Sequence, residues 1–116
     1  MKNYNKISTK EEPRTELHDA LTLTGAEISI NSLPAGASVP FVHSHKQNEE
    51  IYAILEGCGY AVIDGEKVEL KAGDFVRISP AAKRQFFACE KSAIKYLCIQ
   101  VKQNSLEGYT MTDAVV

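Results

Sequence analysis

The sequence predicts an all-β sandwich or barrel in a single domain. Three observations carry that reading. Short segments rich in Val, Ile, Tyr and Phe recur along the chain, bounded by Gly, Pro, Asn and Asp turns. No stretch of any length shows the apolar period of an amphipathic helix. Asp64-Gly65 separates two strand-like runs, and this dipeptide readily adopts the positive φ angles of a type I′ hairpin turn. With 116 residues, 44% of them hydrophobic and 24% charged, the chain is sized for one domain around one core.

Residues 1–25 are mostly polar, contain Pro13 and read as an N-terminal arm, with Leu17 to Leu23 a weak strand inside it. Glu27 to Leu33 alternates polar and apolar, the period of a half-buried strand. Leu33-Pro34-Ala35-Gly36 turns the chain, and Val39 to His45 is extended, with Pro40 placing its start at an edge. Glu50 to Leu55 is the strongest strand, and Glu56-Gly57 is expected to end it. Gly59 to Ile63 and Lys67 to Leu70 flank the Asp64-Gly65 hairpin. Lys71-Ala72-Gly73-Asp74 leads into Phe75 to Ile78, and Ser79-Pro80-Ala81-Ala82 turns toward two last strands, Lys83 to Cys89 and Ala93 to Lys102. The expected domain occupies residues 26–103, followed by a tail over 104–116.

Charge and composition exclude several function classes. Thirteen basic and fifteen acidic residues give a net charge of −2, which recommends neither nucleic acid nor a membrane surface as a partner. No apolar run approaches the roughly 18 residues of a membrane span. Met1 to Lys6 lacks the apolar core of a signal peptide, so the expected location is cytoplasmic. Cys58, Cys89 and Cys98 are odd in number, with no C-x-x-C pair, and read as three free thiols packed like small hydrophobes.

The chemistry concentrates in Phe41 to Glu50. His43 and His45 stand at i and i+2, a spacing that puts both imidazoles on one face of an extended segment. Glu49 and Glu50 follow, and Glu50 shares its strand face with Tyr52 and Ile54. Two neutral imidazoles and a carboxylate suit Fe, Mn, Ni or Zn as divalent ions. Period alone does not join the two segments across the loop between them. A polar strand edge bearing two solvated glutamates is the competing reading. Tyr52 and Tyr96 could aim hydroxyls at a ligand or serve as ordinary barrel residues. His18 reads as a surface residue and Arg77 as an outward one. Ile51-Ala53-Leu55 and Leu97-Ile99-Val101 leave some strands apolar on both faces, which calls for a covering partner and hence a homodimer.

Residues 36–57 resemble the first motif of the cupin superfamily. His43 and His45 fill its H-x-H, Glu50 follows after four residues, and Gly57 after six more, which selects Glu50 over Glu49. Gly36 stands one residue too far upstream. The second motif is degenerate: Gly73-Asp74 opens it, but Ser79, Ala81, Arg84 and Ala88 occupy its proline, glycine, histidine and asparagine places. The resemblance spans roughly residues 26–101. It implies a small cupin-type β-barrel, a jelly roll or double-stranded β-helix, with a divalent transition metal at His43, His45 and Glu50. It also implies dimers that exchange N-terminal strands. Arg84 is the departure, because a guanidinium cannot ligate a metal. Either Arg84 binds an anionic substrate beside a three-ligand metal, with Tyr52 and Tyr96 completing the pocket, or it pairs with Glu50 in a metal-free site. The corresponding functions are a metal-dependent enzyme acting on a small polar or anionic molecule, and a ligand-binding or sensing module.

Overall fold

The computed structural model describes residues 2–116. Seven strands build the fold: β1 (Arg14–Glu16), β2 (Glu27–Leu33), β3 (Asn48–Ile63), β4 (Glu66–Lys71), β5 (Phe75–Ile78), β6 (Arg84–Ala88) and β7 (Ile94–Lys102). All pairings are antiparallel. The only helical pieces among the described residues are one α-turn, α1 (His18–Leu21), and a 3₁₀ turn at Thr110–Thr112.

Strand β3 is shared by both sheets. Its first half lies between β7 and β5, continuing a sheet that runs β1-β2-β7-β3-β5. Its second half lies between β4 and β6. A long strand can serve two sheets if it bends, and the bend falls where the β3–β7 register skips Leu55, between Ile54 and Glu56. Gly57 follows with φ +78°, and a Cβ there would run into the Ala93 carbonyl. The expected stop at Glu56-Gly57 is therefore corrected. These residues bend a continuing strand.

Three other expectations are also corrected. Leu17 to Leu23 forms no strand: the short strand lies just before it at Arg14–Glu16, and α1 closes with Thr22 in the left-handed region. Val39 to His45 is extended but makes only the bridge His43↔Arg84, joined upstream by Ser38↔Phe87, so it runs along β6 without a continuous ladder. Cys58 and Cys89 are a disulfide, leaving Cys98 the one free cysteine. The register explains the pairing. Gly59 faces Ala88 across β3 and β6, which brings the next residues, Cys58 and Cys89, to a Cα separation of 5.7 Å.

The Asp64-Gly65 hairpin forms with both residues at positive φ. Between the sheets lie Ile54, Ala61, Leu70, Ile78 and Ile94, with Phe86 at 4.2 Å ring separation from Tyr52 and 5.2 Å from Tyr96. This aromatic stack forms part of the wall of a cavity.

Candidate metal centre and ligand cavity

The cavity has a volume of about 500 Å³, within the range of small-molecule sites. His43, His45 and Glu50 enter it from two elements. The 39–45 segment is fixed to β6 by reciprocal backbone hydrogen bonds between His43 and Arg84 (3.1 and 2.9 Å), and the His45 N–H donates to the Pro80 carbonyl at 2.8 Å. Two residues apart on extended backbone, the imidazoles face one way, with ring centroids 5.2 Å apart. Glu50 reaches them from β3, and strand alternation turns it inward with Tyr52 and Ile54. Glu49 points outward, with its carboxylate 3.7 Å from Arg77. His18 is exposed beside Asp19.

The three inward groups converge: one ligand atom from each lies within 4.8 Å of the others. Glu50 is 2% exposed, and both carboxylate oxygens are engaged. Oε1 accepts the Tyr52 hydroxyl at 2.6 Å and lies 3.6 Å from the Arg84 guanidinium. Oε2 accepts the Cys98 thiol at 3.2 Å and lies 3.0 Å from His45 Nε2. His45 Nε2 and His43 Nδ1 are nonetheless buried without an aligned hydrogen bond. Orphaned buried nitrogens are uncommon and ask for a partner. Burial, the largest effect, holds the His43 imidazole below its ordinary range. His45, Arg84 and Arg14 reinforce that depression, while Glu50 opposes it. A neutral imidazole has a free lone pair, so the donor set fits a divalent transition ion.

The neighbouring acids are held protonated. Burial first, then Cys98 and Glu50, push the Tyr52 phenol far above its ordinary range. Burial, followed by Glu50, pushes the Cys98 thiol up to about 12, and burial, then Cys98, raises Tyr96 to about 12. Tyr52 and Cys98 are therefore hydrogen-bond donors that orient Glu50.

Arg84 has no exposed surface. Alternation along β6 points it inward with Phe86 and Ala88, where it donates to the Ser79 carbonyl at 2.7 Å and stands behind Glu50. It does not line the cavity, whereas Tyr52 and Tyr96 do. Gln85 donates to the Val39 carbonyl at 2.7 Å and borders the cavity at its rim. Sequence reasoning missed Cys98, Gln100, Asn31 and Arg14 as lining residues. Alternation from Tyr96 could have found the first two. Asn31 and Arg14 become visible only through the pairing of β1 with β2.

Residues 30–100 match the family model of the cupin domain. A solved cupin protein from Bacteroides fragilis is 68% identical, covering 100% of this chain and 98% of that one, with a TM-score of 0.98. A structure described as a predicted oxalate decarboxylase from Thermotoga maritima is 28% identical over 65% of this chain and 64% of that one, with a TM-score of 0.61. An uncharacterized protein of Methanocaldococcus jannaschii is 38% identical over 66 residues, 57% of this chain and 52% of that protein. The match thus spans about half the length of that curated relative.

Proposed function

The chain belongs to the cupin family, and from that premise we propose that it holds a divalent transition metal (Fe, Mn, Ni or Zn) at His43, His45 and Glu50. Beside the metal it would bind or transform a small polar or anionic metabolite. The observation that carries this reading is the meeting of two buried imidazole nitrogens, neither in an aligned hydrogen bond, and a buried carboxylate at the wall of a small-molecule cavity. A bound metal would supply Lewis acidity or a redox centre. The chain's own residues supply the rest. Tyr52 and Cys98 orient Glu50, Arg84 stabilises its charge from behind, and Tyr52 and Tyr96 present aromatic surface to the ligand. The Thermotoga structure is described as a predicted oxalate decarboxylase, and oxalate is a small anion of the class proposed here.

The second reading is a metal-free binding or sensing cupin. The Glu50–Arg84 approach supports it, since the carboxylate already has a buried counter-cation. Elemental analysis of protein purified without chelator, followed by Mn(II) and Zn(II) titration, separates the two. One tight metal per chain, lost in His45→Ala, supports the first. No uptake at any metal concentration supports the second.

The two-sided apolar strands support a homodimer as part of this proposal. On the outer face of the larger sheet, Ile28, Ile99 and Ile51 stand in one row and Ile30, Leu97, Ala53 and Phe75 in the next. Phe75 is 75% exposed.

A further inference from the structure

The cavity also carries, at the β1 edge of the sheet that bears Glu50, a cation that has no place in the metal site. Arg14, on β1, is the only lysine or arginine among the described residues lining the cavity. It stands opposite Asn31 in the β1–β2 register and donates to the Asn31 side-chain oxygen at 2.6 Å. Asn31, 7% exposed, is fixed in turn by its own hydrogen bond to the Ser29 hydroxyl at 3.0 Å, and Ser29 is 2% exposed. Two buried polar residues on the cavity side of β2 therefore hold one guanidinium in place. Its other close partner is Glu16 at 3.4 Å, an exposed contact between half-exposed side chains and of little worth in water. Most of the guanidinium's five N–H donors remain available.

We propose that Arg14 is the anion-recognition residue of this cavity, binding the carboxylate or phosphate of a small ligand whose other end faces His43, His45 and Glu50. The inference rests on reading the cavity as a ligand site. It moves the anion contact from Arg84, which is sealed behind Glu50, to a cation that the ligand can touch. A guanidinium fork matches the oxygens of either oxyanion. β1 lies three strands from β3 in the sheet, and the register sets Arg14 level with Tyr96 and Ile54, four residues along β3 from Glu50. Arg14 and the metal site therefore stand at separate ends of the cavity, which a single ligand would span.

The test is calorimetric titration of the full chain with succinate, glycerol 3-phosphate and uncharged glycerol, with Mn(II) uptake measured separately. The parent should bind at least one of the two anions, more weakly as salt rises, and should not bind glycerol. Succinate against glycerol 3-phosphate tells carboxylate from phosphate. Arg14→Gln should weaken anion binding by about tenfold or more, the worth of a charge-assisted contact. Arg14→Lys should recover part of the loss, because charge returns without the fork. Asn31→Ala should weaken it less than Arg14→Gln does. Mn(II) affinity should be the same in all three variants. Anion binding by Arg14→Gln equal to the parent's would overturn the inference, as would a parent that binds neither anion below about 10 mM. If Mn(II) uptake fails throughout while Arg14→Gln still loses the anion, the metal reading falls and the assignment of Arg14 stands.

Discussion

Glu50 is the residue on which the site turns, and its surroundings show why a buried arginine is tolerated behind it. A buried carboxylate is costly unless it is paired and hydrogen-bonded. Here Tyr52, Cys98, His45 and Arg84 surround both oxygens. Arg84→Met removes the buried counter-cation and should destabilise the protein by about 3–5 kcal/mol, read by chemical denaturation. Arg84→His should instead add an imidazole beside the three ligands and raise Zn(II) affinity by about tenfold or more in a competition titration. His43 gives the site a pH response. Burial lowers its pKa below the ordinary 6.5, so the unfolded chain binds more protons than the native one as pH falls below that value. Stability is then full above about pH 6.5 and declines as pH drops toward the folded pKa. Chelator-treated protein should melt at progressively lower temperature below that pH, and His43→Gln should flatten the decline. His43, His45 and Glu50 were legible in the sequence because a motif with fixed spacing carries them. Arg14 was not, because nothing in a polar arm with no period marks one arginine out from its neighbours.

At the scale of elements, the legible strands are those whose two faces differ. Glu27–Leu33 and Phe75–Ile78 fall where alternation and flanking turns place them, and the Asp64-Gly65 turn follows from local backbone preference alone. The misread elements depend on partners distant in sequence. Glycine ordinarily weakens a strand, so Gly57 reads as a stop. In the fold it lets β3 pass beneath Ala93 from one sheet to the other. Likewise Cys58 and Cys89, 31 residues apart, become neighbours only through the β3–β6 register. Gly57→Ala must hold a positive φ and meet the Ala93 carbonyl. The backbone conformation alone should cost about 1–3 kcal/mol, and the clash adds to it. Urea denaturation should therefore show a lower midpoint, with the motion of β7 away from β3 as its physical origin. A midpoint equal to the parent's would mean that the bend does not need glycine.

For the whole molecule, two sheets sharing one bent strand enclose a cavity on one side and leave an apolar sheet face on the other. No described helix is long and apolar enough to cross a membrane. The outer rows around Ile51, Leu97, Ile99 and Phe75 should be covered by a second copy, so sedimentation at micromolar concentration should give twice the chain mass. Phe75→Lys should shift it toward the single-chain value without loss of fold. A parent that sediments as a single chain would contradict this. The inner side holds the central claim, that His43, His45 and Glu50 are together the seat of a metal. Its most direct test is an anomalous difference map from crystals grown with Zn(II). The prediction is one strong peak per chain, about 2.0–2.2 Å from a nitrogen of each imidazole and an oxygen of Glu50. No peak there, with Glu50 still paired to Arg84, would contradict it.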